Sequence, residues 1–264
     1  MKVVLFCGGL GMRLRDHTQN VPKPLAMIGN RPIIWHLMSY YAYHGHKDFI
    51  LCLGYRGDAF KEYFLNYDET ASNDFVLRNG GRDVDLMKKD IDDWTIRFVD
   101  TGLQSNIGTR LKAVKEHLEG EEIFLANYSD GLSNLPLNSY LDDFRQSDQI
   151  ASFISVRPTT GFHFVEADRD GTVTAIRSVE ESDHRINGGY FALRHEIFDY
   201  LHKGEDLVIE PFQRLIANHK LHAYRYDGFW QCMDTFKDKQ RLEELMERDA
   251  APWQIWKHPN EQVL

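Results

Sequence analysis

The sequence predicts an α/β protein: a parallel sheet whose strands are joined by crossover helices. Two observations carry this. Continuous apolar runs such as "KVVLF" (2–6) and "DFILCLG" (48–54) lack the alternation of a half-solvated strand and fit strands buried on both faces. Between and after them stand segments whose apolar residues recur at helical spacing, giving a β-α-β-α order that antiparallel hairpins do not produce.

Taken in order, "KVVLF" ends at glycines, as a strand feeding a tight loop does. "RPIIWHLMSYYAYHG" (31–45) reads as a helix, with Gly45 where a C-cap belongs. "DFILCLG" is the second strand and "GDAFKEYFLNY" (57–67) a short second helix. Residues 68–95 are polar, with "RNGGRD" and the charge run "KKDIDD", and read as an excursion from the core, a hairpin or an oligomer contact. "TIRFVD" (95–100) returns as a strand, "NIGTRLKAVKEHL" (106–118) is a helix, and "EIFLANYSDGL" (122–132) is another buried strand ending in Ser129-Asp130-Gly131. "IASFISVRP" (150–158) is a strand. "HFVEADRDGTVTAIRSV" (163–179) alternates around Asp170-Gly171, a hairpin pattern. "NGGYFALR" (187–194) is a strand, "EPFQRLIANH" (210–219) a helix, "LHAYRYDGFWQCMD" (221–234) one or two strands, and "FKDKQRLEELMERD" (236–249) an amphipathic helix. No internal repeat, low-complexity tract or linker is visible.

With 264 residues, 42% of them hydrophobic and 27% charged, the chain has enough apolar content for a sizeable core. Its net charge of -9 weighs against a general nucleic-acid binder, which carries a basic surface. An acidic protein that handles anions must concentrate positive charge locally. Cys7, Cys52 and Cys232 are odd in number and stand in no metal spacing, so buried free thiols and a reducing compartment are expected. "MKVVLFCGG" is too short an apolar run for a signal peptide, and no stretch reaches the ~18 apolar residues of a membrane span. The expectation is a soluble cytoplasmic protein that binds no membrane.

The first loop, "FCGGLGMRLRDHTQNVPKPL" (6–25), follows a strand and precedes a helix, where parallel sheets bind ligands. Backbone N–H groups freed by Gly8, Gly9 and Gly11 can cradle phosphate oxygens. The Walker pattern is absent, and the dinucleotide pattern fails because Leu14 holds its third glycine position. Arg13 adds a fork of donors suited to phosphate, and Lys23, held between two prolines, adds a point charge. The glycines alone would fit a plain tight turn; with Arg13 and Lys23 in the same loop they point to phosphate. Asp130 closes a buried strand and Asp234 closes "FWQCMD". Two such carboxylates can share a Mg²⁺ that also binds phosphate oxygens. Either aspartate alone fits a turn or cap equally well, and Asp234 directly precedes a helix.

Together these pieces resemble the sugar-phosphate nucleotidyltransferases, most of all the glucose-1-phosphate cytidylyltransferases. The resemblance runs nearly end to end. It is carried by "VPKPLAMIGNRPIIWHLM", "HGHKDFILCLGYRG", "KEYFLNY", "VDTGLQSNIGTRLKAV", "INGGYFAL" and "GFWQCMDTFKDK". It implies a Rossmann-like three-layer α/β/α fold with a mixed, mainly parallel central sheet. It also implies one domain over 1–264, with a nucleotide-binding half to about residue 135 and an acceptor-binding half from about 136 sharing the same sheet. By position, Gly8, Gly9, Gly11 and Arg13 would form the triphosphate loop for CTP. Lys23 would stand beside the reacting phosphates, and Asp130 and Asp234 would hold Mg²⁺. Thr101, Gly102 and the segment from Ser105 through Gly108 to Arg110 would lie along base and ribose. Asn187, Gly188 and Glu210 would face a phosphorylated acceptor. The implied reaction needs no general base, because a phosphate monoester is already an anion; positioning and charge neutralisation carry it. No Ser-His-Asp set is needed, and His17, His36, His44 and His46 read as surface or packing residues. The family also assembles, so a homo-oligomer is implied. Trp253 and Trp256 could pack in an interface or fold back on their own subunit.

The chain departs from the family pattern at named places. Met12 stands where the loop usually has threonine, and Ser129 where glycine usually precedes the metal aspartate. The family's E-K-P segment reads "SVEESDHRINGG" (178–189), without lysine or proline. Its R-[FY]-G-x-[LI] segment reads "TGFHFVEA" (160–167), with His163 at the tight position. Losing a phosphate-binding lysine from a buried pair costs about 2–5 kcal/mol. Three readings follow. Arg185, Arg177 or His163 supplies the missing cation for glucose 1-phosphate. Or the pocket takes another phosphorylated compound: a different sugar phosphate, a polyol phosphate or a phosphonate. Or acceptor chemistry is lost and the chain only binds nucleotide, which the retained Arg13, Lys23, Asp130 and Asp234 argue against.

Overall fold

The computed structural model describes residues 1–9, 21–159, 163–179 and 183–257. Along the chain stand β1 (Lys2–Phe6), a 3₁₀ turn (Lys23–Leu25), β2 (Met27–Ile28), β3 (Arg31–Pro32), α1 (Ile33–Tyr43), β4 (Asp48–Leu53), α2 (Gly57–Leu65), β5 (Phe75–Arg78), β6 (Asp83–Leu86), β7 (Thr95–Asp100) and α3 (Ile107–Ala113). Then come β8 (Ile123–Asn127), β9 (Gly131–Ser133), α4 (Leu137–Gln146), β10 (Ala151–Val156), β11 (His163–Ala167), β12 (Val173–Ser178), β13 (Ile186–Arg194), α5 (Ile197–Tyr200), α6 (Glu210–Ala217), β14 (Leu221–Arg225), β15 (Trp230–Cys232) and α7 (Phe236–Glu247).

Seven strands form the central sheet in the order β14-β10-β13-β8-β1-β4-β7. β1 runs parallel to both β4 and β8, β4 to β7, and β10 to β14. Only β13 runs against its neighbours β8 and β10. The sheet is therefore mixed and mainly parallel, as expected, and its strands come from both halves of the chain.

Side chains alternate across each strand, so one strand feeds two cores. Val3 and Leu5 of β1, with Phe49 and Leu51 of β4, point to the face covered by α1, α4 and α7. Val4 and Phe6, with Ile50 and Cys52, point to the face covered by α3, α5 and α6. This is why the strands read as unbroken apolar runs, and it makes the three α/β/α layers.

Several elements differ from expectation for local reasons. The helix expected over 106–118 ends at Ala113 and tightens into a 3₁₀ turn at Lys115–Leu118. The strand expected over 122–132 breaks after Asn127. There Ser129 adopts φ +69° and its amide donates to Asn127 Oδ1. A serine in the left-handed region costs roughly 1 kcal/mol relative to glycine, and the reward is a turn that sends the chain back as β9. α4 is an element beyond those expected from the sequence; Leu137, Tyr140, Leu141 and Phe144 are buried at helical spacing along it. The excursion is a hairpin, β5–β6. The hairpin expected around Asp170-Gly171 forms as β11–β12. Trp253 folds back on its own chain, fully buried; it stacks on Phe229 with centroids 5.7 Å apart and its Nε1 donates to His36 Nδ1 at 3.4 Å. No helix among the described residues is long and apolar enough to cross a membrane.

Candidate active site

The carboxyl ends of β1, β8 and β4 meet at one sheet edge, which fixes where the site lies. Gly8 and Gly9 continue from β1, Ser129 and Asp130 follow β8, and Thr101 and Gly102 follow β7. Gly11, Arg13 and Met12 lie outside the described residues, as does His17.

Asp234 reaches this edge by a non-local pairing. β15 runs antiparallel to β9 with Cys232 opposite Gly131, and the Met233 amide donates to the Asp130 carbonyl at 2.8 Å. The ribbon thus sets Asp130 and Asp234 side by side. Asp234 is not the cap of α7: Thr235 caps it, in a reciprocal box with Asp238. Its carboxylate is left to face the site.

Lys23, between its two prolines, opens the 3₁₀ turn, and its side chain is largely buried. Its Nζ lies 2.6 Å from Asp130 Oδ2 and 2.5 Å from Asp234 Oδ1. Burial opposes the ammonium charge, but the two carboxylates outweigh it and hold the Lys23 pKa above the usual lysine value. Burial pushes the Asp130 carboxyl up, against the pull of Lys23, and the Asp234 charge adds to the rise. Two carboxylate oxygens converging on one cation are a donor set for a hard divalent ion. Among the described residues no third carboxylate, histidine or cysteine joins them. A Mg²⁺ held here would take its remaining ligands from phosphate oxygens and water, which is how Mg²⁺ is usually bound in phosphoryl sites. The residues present therefore fit the metal.

Arg110 lies beneath the loops. The residue is 3% exposed, and its guanidinium donates to Thr101 Oγ1 at 2.7 Å and to the carbonyls of Leu53 and Gly8 at 3.0 Å each. It ties the ends of β1, β4 and β7 together, and a Cβ on Gly8 would come within 2.0 Å of it. The Ser105 hydroxyl donates to the Thr101 carbonyl, and the Gly102 amide to Asp100 Oδ1. Gly108 lets α3 close on the Glu205 carbonyl, where a Cβ would sit 2.2 Å away.

On the other side, Asn187 and Gly188 follow Ile186 at the start of β13. Asn187 Nδ2 donates to the Tyr128 hydroxyl, and Trp230 Nε1 donates to the Gly188 carbonyl at 2.8 Å. Glu210 opens α6 and accepts from the Asp206 amide. His163 is exposed at the start of β11. Arg177, on β12, is exposed and paired with Glu166. Arg185 pairs with Asp227 and donates to the carbonyls of Ser155 and Tyr226. The structure thus joins Lys23, Asp130 and Asp234, places Asn187 and Gly188 one strand away, and leaves Arg177 and His163 on the outlying hairpin. Sequence reasoning missed the staple formed by Arg110, the hydroxyl of Tyr128 beside Asn187, and Cys232, which is half-buried with Sγ 3.8 Å from Asp234 Oδ2. Only the non-local pairing of the strands reveals them. Cys7 and Cys52 are buried free thiols, as expected.

Residues 2–244 match the family model described as nucleotidyl transferase. The chain is 37% identical over 258 residues to the glucose-1-phosphate cytidylyltransferase of Salmonella typhimurium, covering 97% of this chain and 100% of that protein. Identity and coverage are the same for the glucose-1-phosphate cytidylyltransferase of Salmonella typhi. A crystal structure of UDP-glucose pyrophosphorylase with UDP-glucose superposes with a TM-score of 0.67 over 94% of this chain and 98% of that one. At 13% identity that likeness concerns the fold alone.

Proposed function

The chain belongs to the nucleotidyl transferase family, and from that premise we propose that it transfers a cytidylyl group from CTP to glucose 1-phosphate, forming CDP-glucose and pyrophosphate. The observation that carries this is the convergence of Lys23, Asp130 and Asp234 on one point beside the glycine loop. The full-length likeness to glucose-1-phosphate cytidylyltransferases supports the choice of nucleotide and acceptor.

In this reading Gly8, Gly9, Gly11 and Arg13 hold the triphosphate, while Thr101, Gly102, Ser105 and Gly108 shape the nucleotide side over the Arg110 staple. Asn187, Gly188 and Glu210 face the acceptor, with Arg185, Arg177 and His163 on its flank. An oxygen of the acceptor phosphate attacks the α-phosphorus. The bond from that phosphorus to the bridging oxygen breaks, and pyrophosphate leaves with the electron pair. Lys23 neutralises charge at the reacting phosphates and orients them. Asp130 and Asp234 would hold Mg²⁺, which when bound supplies charge neutralisation on the phosphate oxygens. No proton needs to be removed from the attacking oxygen.

We further read residues 1–264 as one catalytic domain in two halves acting in the cytoplasm, and as a homo-oligomer. The free thiols and the family's habit of assembling support these points.

A second reading keeps cytidylyl transfer and changes the acceptor to another sugar or polyol phosphate or a phosphonate. The commitment of Arg185 to Asp227 and of Arg177 to Glu166 favours it, since neither stands unpaired for the acceptor phosphate. Pyrophosphate release from CTP and Mg²⁺ with an acceptor panel tests both. Turnover with glucose 1-phosphate supports the first; silence there with turnover of another acceptor supports the second. Asp130→Asn and Asp234→Asn should each lower turnover by at least about a hundredfold with the fold intact. Wild-type rates in either would refute the metal assignment.

A further inference from the structure

Pocket-forming residues gather a second time at the same sheet edge. Because β10 and β14 run parallel to β8, the segments after Val156 and Arg225 emerge beside the segment after Asn127. There a cavity of about 150 Å³ is lined by Arg157, Asp227, Trp230 and Arg241, among others. Three arginines lie within ion-pair distance of its single carboxylate, Asp227, and a fourth, Arg241, lines the cavity. Arg185 and Arg225 pair with Asp227 from outside the cavity; Arg157 lies farther off, at 3.7 Å. Arg241, exposed on α7, has no carboxylate partner among the described residues. In a chain of net charge -9, four arginines to one carboxylate is, among the described residues, a local excess of cations.

The cavity's position relative to Asp130 and Asp234 follows from the topology. β10 lies two strands from β8 and β14 three, which is roughly 10–14 Å at the usual strand spacing. Along the β9–β15 ribbon, Trp230 stands four residues from Asp234, roughly 13 Å in extended chain. That is too far for the cluster to hold the reacting phosphate itself. Trp230, which lines the cavity, donates from its indole to the carbonyl of Gly188.

We infer that the arginine cluster at this cavity binds a second anionic group, a phosphate, phosphonate or carboxylate, at the end of the acceptor opposite its reacting phosphate. This rests on the cytidylyl-transfer reading above. A fixed guanidinium fork suits such a group, and with an acceptor whose far end is uncharged Arg157 shares the one Asp227 carboxylate with Arg185 and Arg225, while Arg241 has no carboxylate partner among the described residues.

The test compares glucose 1-phosphate with glucose 1,6-bisphosphate, which share a ring and differ in charge at the far end. The wild-type protein should turn over the bisphosphate with kcat/KM at least about tenfold higher, in line with one or two charge-assisted contacts. Arg157→Gln with Arg241→Gln should bring that ratio close to one. A wild-type ratio near one, or a ratio unchanged by the double substitution, would overturn the inference while leaving cytidylyl transfer standing. If neither acceptor is turned over with CTP, the cytidylyl reading with these sugar phosphates fails, and calorimetry with inorganic phosphate decides the cluster separately. Binding that is lost in the double variant but kept in Lys23→Ala supports the cluster as an anion site. Binding indifferent to the double substitution, or no binding at all, overturns it.

Discussion

Replacing Arg110 by methionine separates two roles for one residue: contact with the nucleotide, and support of the loops that hold it. The buried guanidinium gives its shortest bonds to Thr101 Oγ1, the Leu53 carbonyl and the Gly8 carbonyl. Without it, Leu53 O still receives the Thr101 amide at 3.0 Å and hydroxyl at 2.8 Å. Among the described residues Gly8 O keeps only the Tyr55 amide at 3.5 Å, and Thr101 Oγ1 loses the Arg110 donor. A buried acceptor left short of a partner costs about 1–3 kcal/mol. Two such groups, less the relief of no longer burying a charge, give an expected loss of about 2–4 kcal/mol. Burial already pushes the Arg110 pKa below the usual arginine value, consistent with that relief. Urea unfolding reads the stability, and the KM for CTP, which should rise as the Gly8 loop slackens, reads the function. A raised KM with unfolding free energy within about 0.5 kcal/mol of wild type would refute the reasoning and put Arg110 on the nucleotide itself.

Other outcomes follow from the same geometry. Gly8→Ala places a Cβ 2.0 Å from Arg110 Nη1, so it should raise the KM for CTP and lower the melting temperature; an unperturbed protein would mean the loop yields freely. Burial holds His36 down to about 4, so the unfolded chain takes up a proton that the folded one refuses. Stability from this group is full above pH ~6.5 and is lost as pH falls toward 4, by about 3 kcal/mol in all, with His44 and His46 contributing in the same direction. Unfolding curves from pH 7 to 5 should flatten in His36→Gln; superimposable profiles would contradict this. Trp253→Ala should cost about 3–5 kcal/mol in the same assay, since the side chain is fully buried, and a loss under 1 kcal/mol would mean the site collapses around the gap.

What could be read in advance was local or periodic. The buried strands of the sheet announce themselves because both faces are covered, and the hairpin around Gly171 because its turn demands φ +89°. Lys23, Asp130 and Asp234 were each visible as chemistry, yet their meeting depends on β9 pairing with β15, three-residue strands a hundred positions apart. No period or propensity encodes such a contact. The same holds for Arg110, whose two carbonyl partners and one hydroxyl partner come from the ends of three strands, and for Arg157, Arg185 and Arg225, which share a neighbourhood only once β10, β13 and β14 are side by side. The helix at 137–146 shows itself only in its spacing, since no side chain caps its start and no glycine closes it.

The seal that Trp253 makes on His36 joins residues 217 positions apart. During synthesis at roughly 5–20 residues per second, helix α1 therefore waits some 10–40 s for the indole that covers one side of it. Until then the His36 ring and its neighbours Trp35 and Tyr40 present an unfinished surface to the cell. The early half of the sheet has to remain soluble as a partly dressed intermediate, and chaperone demand should track that interval rather than the stability of the finished protein.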